Sequence, residues 1–480
     1  MTLPRGSNTQ SPLPTALLRS LEAAVGADGL LTQAADRWPY GGDNSRLHAP
    51  PQAVVFATLT EQIQAVVRCC REHGVPLIAR GRGTGTTGAT VPDQGGVVLS
   101  LERMSRILEL DPDNRLAVVQ PGVTNQALQE AAGHHGFFWP PDPTSAAYCT
   151  IGGNLAYNSA GPRAVKYGTP RDNTLGLTVV TGRGQLLRTG VYTTKGVVGY
   201  DLTRLLIGSE GTLGVITEAI LKLTPLPEAK RTLQAVYESM DAAARAVSRI
   251  MAQPVVPCAL EFMDGRAIEM IRHYSEAELP ERAGGLLMIE VDGLAAGLDA
   301  AAERVAAAAR GTGCLAVELA RTEAEVKALW ATRKALSPAL RTIAPKKINE
   351  DVVVPVSKIP ALINGLEHLG TDHGITIVSF GHAGNGNIHV NLLVDPDDAA
   401  QMKAADACLD GVFDLVLGLR GSISGEHGIG LVKRPFVARE LGEEALSMMH
   451  AVRQCFDPDG ILNPGKGLPP PDKTDEQRPT

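Results

Sequence analysis

At 480 residues the chain is too long for one simple core, so two domains or one large elaborated one are expected. Apolar residues make up 44% and charged residues 20%, enough for a sizeable core, and the formal net charge of -7 argues against a general nucleic-acid binder. The seven cysteines are scattered with no Cys-x-x-Cys, which argues against a cysteine-built iron–sulfur or zinc site and fits reduced thiols in a cytoplasmic protein. No basic-then-apolar leader opens the sequence and no stretch is apolar enough to span a bilayer, so membrane contact is expected only at the periphery.

Residues before about Thr15 are rich in Pro, Ser and Thr, and a charged end follows Pro469, Pro470 and Pro471; both termini are expected to be mobile. Between 53 and 223 short β-type runs are parted by glycine, at 53–57, 76–79, 97–101, 116–120, 177–181 and 214–223. One helix stands out at 60–73, where Ile63, Val66, Val67 and Cys70 share a face and Gly74 can cap the end. From about Arg231 the texture changes. Strands at 233–237, 259–263, 286–291 and 315–319 alternate with Ala-rich helices at 241–251 and 295–310, the rhythm of helices packed on one face of an antiparallel sheet. A boundary near 225–227 follows, and the expected class is α+β.

Gly83, Gly85 and Gly88 spell G-x-G-x-x-G after a strand, with Glu102 near the acidic position of a dinucleotide fold. The context rejects that reading. Only residues 89–94, Pro92 among them, separate Gly88 from Gly95, and no crossover helix fits there. What remains is Arg80-Gly81-Arg82-Gly83-Thr84-Gly85-Thr86-Thr87-Gly88, whose glycines let successive backbone N–H groups turn toward an anion while hydroxyls add donors. A pyrophosphate cradle is the functional reading; a glycine turn at a strand end is the plain one.

This loop, followed by Val97-Val98-Leu99-Ser100-Leu101-Glu102-Arg103-Met104, resembles the pyrophosphate loop of the vanillyl-alcohol oxidase/p-cresol methylhydroxylase (PCMH) flavoprotein superfamily. Three later segments match it in order: Pro140-Pro141-Asp142-Pro143; Thr150-Ile151-Gly152-Gly153-Asn154 with Asn158 and Gly161; and the run from Ile207 through Glu210 and Gly211 to Ile216. The resemblance implies that these segments, with Thr144, wrap FAD. Covalent members carry a histidine where this chain has Thr84, so the FAD is expected to be noncovalent.

The second informative stretch is Gly381-His382-Ala383-Gly384-Asn385-Gly386-Asn387-Ile388-His389-Val390-Asn391. The histidines are seven apart, so one unbroken strand would aim them at opposite faces; a turn at Gly384 and Gly386 would let them converge. Asn387, His389 and Asn391 then share a strand face. Further on, Ser424-Gly425-Glu426-His427-Gly428 offers a carboxylate and an imidazole between glycines. Two histidines and one carboxylate suit a divalent metal with open positions, and a non-haem iron oxygenase would also fit that set.

Over 46–467 the chain also resembles the FAD-linked D-2-hydroxy acid dehydrogenases: D-lactate dehydrogenase, D-2-hydroxyglutarate dehydrogenase and the glycolate oxidase D subunit. That resemblance implies an N-terminal segment (1–45), a PCMH-type FAD-binding domain (46–227), a FAD-linked oxidase C-terminal domain with a ferredoxin-like sheet (228–468) and a disordered tail (469–480). It implies His382, His389 and Glu426 as ligands of zinc or manganese, and His427 as catalytic base. Arg333 is implied as the substrate-carboxylate binder, a role that suits a bidentate guanidinium, with Asn387, Asn391 and Ser337 as further substrate contacts and Asn463 close to the flavin. One departure bears on specificity. Glutarate-type members place a lysine six residues before Pro355, where this chain has Asn349; Lys347, on the same strand face, is the candidate substitute.

The reaction implied is oxidation of a small D-2-hydroxy acid (D-lactate, D-2-hydroxyglutarate, D-malate or glycolate) to the 2-oxo acid. His427 takes the hydroxyl proton beside the metal, and hydride passes to flavin N5. The electron acceptor (quinone, cytochrome or electron-transfer flavoprotein) and a homodimer stay open, with a cytoplasmic location at most peripheral to the inner membrane face. Three rivals remain: a flavin subunit of a glycolate oxidase-like respiratory complex, a non-redox FAD enzyme of the alkylglycerone-phosphate synthase type and, last of the three because it has no use for both constellations, a pure binding or structural protein.

Overall fold

The computed structural model describes residues 11–272 and 280–471. The chain forms two compact units: the first is Met1–Ala160, Gly168–Leu226 and Glu426–Thr480, the second Gly161–Tyr167 and Pro227–Gly425. Neither is continuous in sequence.

The first unit holds two main sheets. One is four-stranded, in the order β1 (Leu30–Leu31), β2 (Ala53–Phe56), β4 (Val97–Ser100), β3 (Leu77–Arg80), with β2 and β3 both parallel to β4. Helix α1 (Thr15–Val25) and helix α2 (Thr60–Glu72) pack on it, α2 through Ile63, Val66, Val67 and Cys70, all buried. Burial of four such side chains contributes roughly 1.5–3 kcal/mol each, which is what holds a polar-faced helix to the sheet. No helix lies between β3 and β4; residues 81–96 cross as a glycine loop, as the spacing required. The other sheet is antiparallel, in the order β5 (Ile107–Asp111), β6 (Leu116–Val119), β9 (Val215–Lys222), β7 (Thr174–Val180), β8 (Leu186–Gly190). Helix α3 (Asn125–Gly133) and helix α4 (Ile151–Tyr157) share its core around Trp139.

The second unit is one seven-stranded antiparallel sheet. Its strands are β10 (Ala229–Tyr237), β11 (Ala259–Asp264), β12 (Gly285–Gly293), β13 (Cys314–Leu319), β14 (Lys346–Val353), β15 (Thr376–His382) and β16 (Asn387–Val394), in the order β13-β10-β12-β11-β15-β16-β14. Its helices are α5 (Met240–Ala252), α6 (Gly265–Arg272), α7 (Ala295–Ala309), α8 (Glu323–Ile343), α9 (Ile359–His373) and α10 (Ala399–Gly418).

The sequence reading placed these helices on one face, and here the structure differs. Leu336 and Leu340 of α8 and Ile268 of α6 pack against Val236, Met263, Leu286 and Phe380. The alternate side chains point the other way. Tyr237 donates to the Ala309 carbonyl at the end of α7 (2.9 Å), Gly285 backs onto Ala243 of α5, and Ile377 lies against Gly370 of α9. The reason is legible in β11, all six of whose residues are buried; a strand with one wet face would alternate.

Among the described residues no helix is long and apolar enough to cross a membrane. All seven cysteines are unpaired.

Candidate active site

In the first unit the glycine loop borders a cavity with about 590 Å³ of empty space, part of it open to solvent. Of the residues expected to hold a cofactor, Arg80, Gly81, Gly152, Gly153, Glu210, Gly211 and Ile216 line it. They come from three separate segments and meet because glycines let backbones close up. A Cβ at Gly81 would lie 2.5 Å from Thr150 Oγ1, and one at Gly152 would lie 2.6 Å from Pro121 Cβ. Thr150 and Ser209, both inside the segments expected to wrap the cofactor, line the cavity too, and so does Tyr157, which the sequence reading missed. Ordinary residue types beside a glycine motif carry no signal of their own.

Other expected cofactor residues sit outside that lining. Arg82, Gly83, Thr84, Gly85, Thr86 and Gly88 continue the loop, which is pinned from behind: Gly88 N donates to Asp43 Oδ2 (3.0 Å), and buried Arg80 donates to the Gly42 carbonyl (2.7 Å) and Thr90 Oγ1 (3.2 Å). Arg80 therefore props the loop with its guanidinium. Pro141, Asp142 and Thr144 lie in the connection before α4, where the Pro141 carbonyl accepts from Asn125 Nδ2 (2.9 Å). Asn154 spends its amide on Asn125, Cys149 and Ser159. Asn158 caps α4 in the left-handed region (φ 56°), and its Oδ1 accepts from Arg171 N (3.1 Å). Gly161 opens the short segment that belongs to the second unit.

Glu210 has a role the motif did not foretell. Held at φ 52°, it accepts from Ile429 N (2.5 Å) and Gly430 N (2.9 Å), so its carboxylate grips the loop that follows His427. Burial raises its carboxyl above the usual range, against the pull of those two amides. Thr87 of the glycine loop holds the same segment: its Oγ1 donates to the His427 carbonyl (3.3 Å), and its own carbonyl accepts from Leu431 N (2.8 Å). Asn463 stitches the C-terminal segment to this wall, donating to the carbonyls of Ala89 (2.9 Å) and Glu210 (2.7 Å). Its buried Oδ1 has no protein donor, an acceptor left for a bound group. The glycines and hydroxyl side chains that line the cavity, with this acceptor behind its wall, fit a phosphate-bearing cofactor.

In the second unit β15 and β16 form a hairpin closed by a turn at Ala383–Asn385 and by Gly386 at φ 74°. The register pairs Phe380 with His389 and His382 with Asn387, which puts both histidines on one face, with ring centroids 5.3 Å apart. Strand β14 then sets the way in to Glu426. Buried Asp351, opposite His389, accepts from Gly425 N (2.8 Å) and Ser424 Oγ (3.3 Å). Glu426 is the next residue, peptide-bonded to that anchor, and ligand atoms of His382, His389 and Glu426 lie within 4.8 Å of one another. Buried Asn387 Oδ1 beside them has no hydrogen-bond partner. The donor set fits a divalent metal.

The expected substrate contacts are not equally open. Arg333 on α8 is buried, its Nε donating to Glu261 Oε2 (2.8 Å) and its guanidinium lying 4.7 Å from the Phe380 ring centroid. Asn391 is saturated: it accepts from Asn349 Nδ2 (2.6 Å) and donates to the carbonyls of Val378 (3.1 Å) and His389 (3.2 Å). Lys347 is half-buried two positions along β14 on the same face. The Ser337 side chain lies outside the described residues.

Sequence reasoning missed Glu261. It stands in mid-strand on β11 opposite His382, and its Oε1 meets His382 Nδ1 at 2.5 Å. Burial alone would raise this carboxyl; His382 and Arg333 outweigh it and hold it below the usual range. The available signal was a lone carboxylate between Leu260 and Phe262 in an otherwise apolar run.

Comparison with known proteins agrees with this architecture. Residues 51–190 match the "FAD binding domain" family and residues 226–467 match "FAD linked oxidases, C-terminal domain". The "Glycolate oxidase subunit GlcD" of Bacillus subtilis (strain 168) is 42% identical over 416 residues, 87% of this chain and 88% of that one. A "D-lactate dehydrogenase" of Anaerostipes hadrus is 36% identical over 87% of this chain and 90% of its own. In fold, p-cresol methylhydroxylase with substrate bound superposes with a TM-score of 0.77 at 18% identity, covering 95% of this chain and 96% of that one. The chain belongs to the family of FAD-linked oxidases. It is an FAD-dependent oxidoreductase built as a PCMH-type flavin-binding domain joined to the family's C-terminal domain.

Proposed function

We propose that this chain oxidises a small D-2-hydroxy acid to the 2-oxo acid, with the metal held by His382, His389 and Glu426. The observation that carries the reading is the convergence of those three ligands in a chain of the FAD-linked oxidase family. The names of the relatives, glycolate oxidase subunit and D-lactate dehydrogenase, support the substrate class.

Arg333 binds the substrate carboxylate with the Nη atoms that Glu261 leaves over. His427 accepts the C2 hydroxyl proton, and the grip of Glu210 and Thr87 on its loop holds the backbone that carries that imidazole. A divalent cation, when bound, supplies Lewis acidity that favours this deprotonation. FAD, when bound noncovalently, supplies the two-electron oxidant. The neutral Asn349–Asn391 pair, standing where glutarate-type members place a lysine, favours an acid with one carboxylate.

The test is anaerobic flavin absorbance as D-lactate, D-2-hydroxyglutarate, D-malate and glycolate are added separately. Bleaching by a D-acid and not its L-isomer is expected. A protein that retains FAD yet is bleached by none of the four would overturn the substrate assignment. A second reading has the chain as the flavin subunit of a larger assembly, since the B. subtilis relative is itself called a subunit. Co-purification of an iron–sulfur protein from the native host supports that reading; a chain that reduces a quinone unaided at full rate removes it.

A further inference from the structure

We propose that Glu261 is a positioning residue that sets two partners at once, the metal ligand His382 and the substrate-binding Arg333; the inference rests on the function proposed above. Glu261 is 1% exposed in the middle of β11, on a sheet covered by helices on both faces. A charge there is costly unless it is fully partnered, and burial of an apolar side chain of like size would carry no such cost. Its two oxygens are divided between two donors. Oε1 meets His382 Nδ1 at 2.5 Å, and Oε2 accepts from Arg333 Nε at 2.8 Å.

Each contact has a chemical consequence. A hydrogen on His382 Nδ1, donated to the carboxylate, puts the lone pair of the neutral ring on Nε2, the atom through which it would ligate a cation. Arg333 spends only Nε, so Nη1 and Nη2 remain as the parallel pair that matches a planar carboxylate. The Phe380 ring beside the guanidinium helps to fix its plane. One carboxylate thereby holds the metal ligand and the substrate anchor in one frame, on neighbouring strands whose register pairs Glu261 with His382.

Glu261→Gln tests this, because an amide offers one acceptor atom where the two donors need two. In flavin-loaded protein we expect the affinity for Zn2+ or Mn2+, read by competition with a chromogenic chelator, to fall about 10–100-fold. KM for the hydroxy acid should rise in the same variant. Bound FAD and the melting temperature serve as folding controls. Glu261→Asp, which keeps both acceptors on a shorter arm, should recover part of the metal affinity. A Glu261→Gln protein with wild-type metal affinity and wild-type KM overturns the inference. A wild-type protein that binds no divalent metal instead overturns the metal site, and the metal half of this inference with it.

Discussion

At the scale of single residues, His427 and Arg333 illustrate two ways to place a functional side chain. His427 sits in a loop without regular structure, so its position depends on what grips its neighbours: Thr87 at its own carbonyl and Glu210 at the two amides beyond Gly428. Arg333 instead projects from a long helix and is locked by an ion pair to Glu261. Replacing His427 by alanine removes the base and leaves those backbone contacts intact. We expect His427→Ala to keep its flavin but to be reduced by substrate about 10²–10⁴-fold more slowly in single-turnover absorbance. Flavin reduction at the wild-type rate in that variant contradicts the base assignment.

At the scale of elements, the β15–β16 hairpin decides whether two histidines seven residues apart meet. Gly386 makes the turn at φ 74°, and a Cβ there would overlap the Val354 carbonyl. Gly386→Ala is therefore expected to cost at least about 1–2 kcal/mol and to loosen metal retention, measured by metal content after gel filtration. Gly297→Ala in α7 is the contrasting case: a Cβ there meets nothing within 4 Å, so it should be neutral or stabilising by up to about 1 kcal/mol. Metal retention unchanged in Gly386→Ala would mean that the turn does not set the ligands.

This hairpin also marks how far the sequence could be read. The odd spacing and the glycines foretold the turn and the shared face, because both follow from the two-residue period of a strand. Helix α2 and most strand positions were legible for the same reason of periodicity. Glu261 was not, because its meaning comes from a partner 121 residues away in sequence that only register reveals. The two-sided helical cover was missed in the same way. A mostly apolar run is compatible with several packings, and only the tertiary partners choose among them.

At the scale of the whole molecule, the flavin cavity and the two histidine ligands belong to different compact units. Metal removal should therefore spare the flavin. Dialysis against a chelator is expected to abolish substrate oxidation while flavin absorbance stays unchanged, and added Zn2+ or Mn2+ should restore turnover. Activity indifferent to the chelator argues against the metal site; loss of flavin together with metal would mean that the metal also holds the cofactor.

The interleaved path of the chain has a consequence for biosynthesis. The first unit is completed by residues 426 onward, and its β3 strand is hydrogen-bonded at Leu77 to Ile461 and to Asn463. A ribosome delivers those residues only after the whole second unit, so the N-terminal sheets emerge early and wait with an open seam. The second unit, meanwhile, is already complete once Gly425 has left the exit tunnel. A chain stopped just after Gly425 would therefore carry a second-unit sheet that is whole and a β3 edge that lacks its partners at Ile461 and Asn463.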